Sequence, residues 1–337
     1  MTPERFSEIT DRYHNLRIAV VGDFCLDRYL EIHPARSEIS IETGLPVHNV
    51  EHVRFQPGGA GTILNNLSAL GLAEIVPIGF CGRDAEGHEL QEALAVRPGV
   101  NLNHFLCTAG RRTFTYCKPL VMHPNGPPEE LNRLDFKNWT PTPESVTQSL
   151  ILALESAVSE VDAVIVLDQV DVADTGVVNE TLLGSIGSSA GDRPGVFFIG
   201  DSRRGFDGWP PIGLKMNEAE FVTFAGASDY ADVIDLIRHT APRMNNRKQP
   251  WFVTRAEHGI VAIDAEGNIS SHASLPVHGE IDIVGAGDAV TANLTAAIAA
   301  GASPAEAAIL ANRAASVVIH KLGTTGTASV EEIAAAE

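Results

Sequence analysis

Short β-branched runs alternate with helix-period apolar patterns along most of this chain, the signature of βαβ units around a mostly parallel sheet. Residues 18–21 read as the first strand, ending at Gly22-Asp23. Gly58-Gly59-Ala60-Gly61 then opens a helix with Ile63, Leu67 and Leu70 on one face, and Gly71 sits where a left-handed residue closes it. A strand at 75–78 follows, and Asp84 caps a helix carrying Leu90 and Leu94. Thr142-Pro143-Glu144 begins another helix, with strands read at 163–167, 196–199, 251–254 and 260–263. Val290, Leu294, Ala297 and Ile298 recur at i, i+4, i+7 and i+8, a helix that starts directly after a glycine-rich turn. Ser303-Pro304-Ala305-Glu306 is a capping box with proline in the first helical position.

Two stretches break this rhythm. Residues 28–56 and 104–135 alternate with period two, as in Thr113-Phe114-Thr115-Tyr116-Cys117, and predict strands outside the main sheet. Paired, they would form a small β-sheet lid over a site that must exclude water; a surface hairpin without function fits the same pattern. The only linker-like runs are 123–129 and 241–250, so the reading is one domain over 1–337.

Composition narrows the partners. With 24 Lys+Arg against 43 Asp+Glu the net charge is −19, and no stretch gathers the basic residues a nucleic-acid face needs. An acidic surface also repels phosphorylated compounds at long range, so a site for them must be locally basic or rich in backbone donors. Cys25, Cys81, Cys107 and Cys117 show no zinc or CxxC spacing, which predicts free thiols in a reducing compartment. No run is apolar for the roughly 18 residues a membrane span requires, and the polar first residues carry no secretory signal. A cytoplasmic protein without membrane or nucleic-acid partners is expected.

The chemistry concentrates in Asp282-Ile283-Val284-Gly285-Ala286-Gly287-Asp288. Gly285 and Gly287 let successive N–H groups converge at a helix N-terminus, which suits a phosphate. Asp288 at the rim suits a general base that takes a hydroxyl proton during phosphoryl transfer, although a helix-capping carboxylate would occupy the same place. Together they describe a kinase for small alcohols.

Four separated motifs resemble the ribokinase-like (PfkB) carbohydrate kinases over essentially the whole chain: Gly22-Asp23 with Asp27, Pro57-Gly58-Gly59-Ala60-Gly61, Lys215-Met216-Asn217-Glu218-Ala219-Glu220, and Gly285-Ala286-Gly287-Asp288. Within that family Gly22-Asp23-Phe24-Cys25-Leu26-Asp27-Arg28-Tyr29, Leu45-Pro46-Val47, Arg133-Leu134-Asp135 and His320-Lys321-Leu322-Gly323-Thr324-Thr325 look like the bacterial heptose 7-phosphate kinase branch. The resemblance implies a three-layer α/β/α fold, ATP and Mg2+, and a sugar or sugar-phosphate acceptor. It assigns Asp288 as base, Gly285, Ala286 and Gly287 as anion hole, and Asp23, Asp27, Gly58, Gly59 and Asn66 to the sugar. Asn217, Glu220, Thr254, Gly259 and Asn312 go to the nucleotide, Glu220 to Mg2+ through water, and Asp282 to a possible monovalent cation such as K+. It also implies a homodimer if lid strands pair between subunits. Such heptose enzymes are often fused to a nucleotidyltransferase bearing HxGH; that motif is absent, so the chain corresponds at most to the kinase half.

The chain departs from that pattern at Thr62, where an Asn is usual, at Gln169-Val170-Asp171-Val172, where the heptose branch carries Tyr-x-Lys-Gly, at Ala256, usually glycine, and at Ile283, often threonine. These departures leave open a kinase for another small alcohol, or a sensor that keeps the fold without catalysis. Arg111, Arg112 and Lys118 in the lid, and Arg203 and Arg204, are the candidates for holding a substrate phosphate.

Overall fold

The computed structural model describes residues 1–124, 126–227, 232–244, 248–323 and 325–336; Thr324 of the tail motif, and Asn125 and residues 245–247 of the two linker-like runs, lie outside them. Nine strands form the main sheet. From one edge the order is Ile269–His272, Ile260–Ile263, Trp251–Thr254, Gly213–Asn217, Phe197–Ser202, Ala163–Asp168, Arg17–Gly22, Glu74–Gly82 and Phe105–Thr108. All neighbours are parallel except the pairs made by Ile260–Ile263.

The strands are apolar on both faces because both are covered. Ile18 and Val20 pack with Ile63, Leu67, Leu294 and Leu310 on one side, while Ala19 and Val21 pack with Leu150, Leu154, Leu182 and Ile186 on the other. Each fully buried Val, Leu or Ile side chain here contributes about 1.5–3 kcal/mol. The first layer holds the helices Ala60–Ala69, Ala286–Ala299 and Pro304–Ile319, and the second holds Glu144–Ala157 and Glu180–Asp192. Ala60–Ala69 and Ala286–Ala299 pack directly on each other, with small residues such as Ala60, Ala289, Ala292 and Ala296 buried in the same core. The predicted caps form: Asp84 accepts from the Gly87 N–H, and Ser303 and Glu306 make a reciprocal capping box.

A second sheet runs Leu134–Phe136, Phe114–Val121, Phe24–Ile32, Val50–Gly59, with Glu129–Glu130 beside Phe114–Val121. It differs from the sequence reading at its ends. Its longer central strand starts at Phe24, directly after the first core strand, and Phe105–Thr108 belongs to the edge of the main sheet, where Phe105 meets the Phe24 ring edge-on at 5.1 Å. The two sheets therefore diverge at Gly22-Asp23. This is also the topological switch point, since successive strands leave Arg17–Gly22 first towards Glu74–Gly82 and later towards Ala163–Asp168. A crevice outside the carboxyl ends of strands at that point is where open α/β sheets bind ligands.

Candidate active site

Two helix N-termini face this crevice, each opened by a left-handed glycine. Gly59 (φ 57°) precedes Ala60–Ala69 and Gly285 (φ 84°) precedes Ala286–Ala299, and neither helix has a side-chain cap. The first N–H groups of such helices lack intrahelical partners, which leaves them for a ligand or for other protein groups.

At the Gly285 end, Asp288 stands in the first turn, partly exposed. Burial first, then the nearby Asp201 carboxylate, pushes its pKa up to about 7, against the pull of Lys215 and Arg203. Behind it lies a network that sequence reasoning gave no role. Asp201 accepts from Lys215 Nζ (2.9 Å) and Thr291 Oγ1 (2.8 Å), all three being buried. Burial works against the Lys215 charge, but Asp201 outweighs it, so the lysine's pKa is raised and it stays an ammonium. A Cβ on Gly287 would stand 3.3 Å from that Nζ. The cradle thus has backbone donors above and a fixed cation below, and with no side chain at Gly287 there is room for a phosphoryl group.

The cradle opens into a cavity of about 740 Å³ lined by Lys215, Asn217, Thr254, Gly259, Ala286, Gly287 and Asn312, so these nucleotide candidates share one chamber. Exposed Val277, Ile281 and Ile283 give it an apolar rim. Asn312 Nδ2 donates to the carbonyls of His272 (2.9 Å) and Ala273 (3.3 Å), tying the helix Pro304–Ile319 to the wall rather than reaching into the space. Asn217 and Glu220 cap each other: Asn217 Oδ1 accepts from the Glu220 N–H and a Glu220 carboxylate oxygen accepts from the Asn217 N–H. Burial raises the Glu220 pKa. Asp282 is fixed by the Val284 N–H (3.0 Å) and bonds through its own N–H to the Ile319 carbonyl. No group of three or more His, Cys, Asp or Glu gathers as a metal site among the described residues. A divalent ion would therefore rest on a nucleotide's own phosphates, with Glu220 nearby, as the donor set allows; when bound it would supply charge neutralisation at the transferring phosphoryl.

At the Gly59 end the structure gives Asp23 a structural task. The carboxylate has no exposed surface and accepts three backbone bonds, from Gln169 N–H (2.9 Å), Val170 N–H (3.2 Å) and Val177 N–H (2.7 Å). Burial first, then the Asp168 charge, lifts its pKa to about 6 despite those donors. It latches the loop after Ala163–Asp168 onto the switch point, and with its acceptor sites shielded it does not meet a sugar in this conformation. Asn66 is likewise fully buried, its Nδ2 donating to Thr62 O within its own helix (3.0 Å), which differs from the sugar contact the resemblance implies. Asp27 remains at the cleft as the carboxylate 3.3 Å from Lys118 Nζ, packed against Gly58.

The other cations also sort. Arg111 is buried and donates to the carbonyls of Thr140, Pro141 and Thr175, a staple rather than an anion site. Arg112 lies over the Phe136 ring at 5.0 Å. Arg204 is locked on Asp168 at 2.9–3.2 Å. Arg203 is exposed.

Residues 213–331 match the pfkB family carbohydrate kinase family. The chain is 31% identical over 323 residues to the bifunctional protein HldE of Azorhizobium caulinodans, covering 95% of this chain and 64% of that protein. It is 33% identical over 320 residues to that of Halorhodospira halophila, covering 95% and 63%. It thus spans less than two thirds of these curated relatives. Among solved structures, Arabidopsis thaliana ribokinase complexed with ribose and ATP superposes with a TM-score of 0.64 at 17% identity, over 95% of this chain and 98% of that one. Escherichia coli phosphofructokinase-2 in complex with potassium gives 0.69 at 19%, over 95% and 98%. These likenesses establish the ribokinase-like fold, and the match to the pfkB carbohydrate kinase family falls on the region that holds Asn217, the glycine cradle and Asp288.

Proposed function

We propose that the chain transfers the γ-phosphoryl group of ATP to a hydroxyl of a sugar phosphate, heptose 7-phosphate being the leading acceptor, with Mg2+ on the nucleotide and Asp288 as general base. The observation that carries this is Asp288 beside a glycine cradle, its pKa lifted to about 7, where a carboxylate both ionises near neutrality and accepts a proton well. The cradle N–H groups and Lys215 stabilise charge on the transferring phosphoryl, and Asp27 beside Gly58 positions the acceptor, so that binding replaces an encounter of three species in solution. Similarity to the HldE proteins and the motifs shared with the heptose branch support the acceptor class. The lid sheet closes the crevice against water, and pairing of two lids in a homodimer is part of the same reading.

The test is ADP release with MgATP across a panel of sugars and sugar phosphates that includes heptose 7-phosphate, beside Asp288→Asn. A single preferred acceptor whose turnover falls by about 10²–10⁴ in the variant is the expected outcome. Unchanged turnover in Asp288→Asn would remove the base, and silence across the panel with nucleotide binding intact would favour a sensor.

A further inference from the structure

We infer that Arg203, held in place by Gln169, is the specificity-determining anchor for a phosphate carried by the acceptor, so that this domain takes phosphomonoesters and discriminates against neutral sugars. The inference rests on the kinase reading and concerns the acceptor half of the same crevice.

Arg203 follows the strand Phe197–Ser202, and its N–H donates to the Asp168 carbonyl (3.1 Å), which brings it beside the end of the neighbouring strand. With its amide oxygen towards the guanidinium, Gln169 accepts from Arg203 Nη2 at 2.7 Å and Nε at 3.2 Å. Gln169 in turn packs on the acceptor side, its Cγ 3.5 Å from where a Cβ on Gly59 would be. The guanidinium is close enough to act electrostatically on Asp288 and Glu220 from one side and on Tyr116 of the lid and Asp171 from another. It therefore lies between the base and the lid, and it is absent from the lining of the nucleotide cavity.

Among the candidate cations, Arg111 is spent on backbone carbonyls and Arg112 lies over the Phe136 ring. Lys118 is paired with Asp27, Lys137 with Asp171, Arg133 with Asp135, Arg204 with Asp168 and Lys215 with Asp201. Arg203 makes no ion pair among the described residues, in a chain of net charge −19. A guanidinium held by a neutral amide keeps its full charge and its remaining donors for an incoming anion, and a planar fork of donors matches a phosphate. The transferring phosphoryl already has Lys215 and the cradle, which leaves the acceptor's own phosphate as the partner of Arg203. A neutral sugar would gain nothing from this residue and would be excluded from the affinity it provides.

The experiment compares wild type, Arg203→Gln, Arg203→Lys and Gln169→Leu with heptose 7-phosphate and with the unphosphorylated heptose. Expected for Arg203→Gln is a rise in KM for the phosphorylated acceptor of roughly 30–100-fold, with kcat and the KM for ATP within about 3-fold. Its kcat/KM for the unphosphorylated sugar should not move, Arg203→Lys should recover part of the loss, and Gln169→Leu should fall between. Inorganic phosphate should compete with the acceptor in wild type and lose that effect in Arg203→Gln. Equal losses for both sugars, or a fall in kcat at constant acceptor KM, would place Arg203 on the transferring group and overturn the inference. Wild-type turnover confined to neutral sugars would overturn it while leaving the kinase reading intact. If nothing turns over, the kinase reading is what fails, and calorimetric binding of fructose 6-phosphate to wild type and Arg203→Gln decides the anchor on its own: equal affinity rejects it.

Discussion

The two helices that meet over the crevice begin alike and end up doing different work. Each starts after a left-handed glycine with no side-chain cap, is built largely of small buried residues, and packs against the other. At Gly59 the space is taken by protein: Ala60 N–H donates to the Asp23 carbonyl (3.0 Å), and a Cβ at Gly59 would collide with that same oxygen. At Gly285 and Gly287 the nearest obstacles to a Cβ are side-chain atoms, Thr325 Cβ and Lys215 Nζ, each 3.3 Å away. One glycine is required because the chain closes on itself there, the other because something else must approach. A glycine-rich turn is thus read as structural or functional by what a methyl group would strike.

Alanine substitutions at the two ends should separate these roles most strongly. Gly59→Ala forces a side chain into φ 57°, ψ −124° and into backbone, and should destabilise the fold by about 3 kcal/mol or more, seen in denaturant unfolding. Gly287→Ala should leave stability unchanged or raised by up to about 1 kcal/mol, because alanine favours a helix. Its turnover should nevertheless drop by about 10²–10³, the usual effect of spoiling one part of a preorganised anion site. A stable, active Gly287→Ala protein would show that the second turn is as structural as the first.

The sequence made the layers legible because alternate residues of each strand must bury on opposite faces, as Val20 and Val21 do, and because caps such as Asp84 and Ser303 act within three residues. The cradle was legible for the same local reason. What lay hidden depends on contacts across the chain. Asp201 and Lys215 become neighbours only through the register of two parallel strands, and Thr291 joins them from a helix far along the sequence. Asp23 looked like a sugar ligand beside Asp27, yet its partners are the N–H groups of residues 146 to 154 positions further on, which no spacing rule reports. The start of the second sheet was not legible because the strand Phe24–Ile32 continues from the first core strand with only Asp23 between them.

The carboxylates beside the two turns sharpen the contrast at a smaller scale. Both have raised pKa values, about 6 for Asp23 and about 7 for Asp288, so each folded-state carboxyl holds a proton that the unfolded chain releases near pH 4. For such a group the stability present below pH 4 is lost as pH rises through the folded-state value, and the loss is complete above pH 7. Asp288→Asn should therefore raise Tm at pH 8 by a few degrees, about 2–4 °C for each kcal/mol in a chain of this size, and leave it unchanged at pH 4. Asp23→Asn should do the opposite at pH 8. An amide turns one set of donors towards three backbone N–H groups, and that mismatch costs about 1–3 kcal/mol. Thermal melts of both variants at the two pH values check the signs, and stabilisation by both would mean that the Asp23 latch contributes nothing.

A third left-handed turn lies in the wall of the nucleotide cavity, and here the residue is not glycine. Ala256 has φ 46°, fixed between the Gly259 N–H bond to its carbonyl (3.0 Å) and the Arg255 N–H bond to Gly259 O (2.7 Å). A left-handed alanine costs about 1–2 kcal/mol, whereas glycine adds about 0.4–1 kcal/mol of freedom to the unfolded chain, so Ala256→Gly should stabilise by roughly 0.5–1 kcal/mol. Ala256 also lines the cavity that Lys215 and Gly287 share. If this turn resembles Gly59, where backbone geometry is the whole issue, the KM for ATP should stay within about 3-fold of wild type while Tm rises. A much lower KM in Ala256→Gly would instead place this turn with Gly287, as a position where a methyl group obstructs the ligand, and would make the alanine a device that weakens nucleotide binding in this chain.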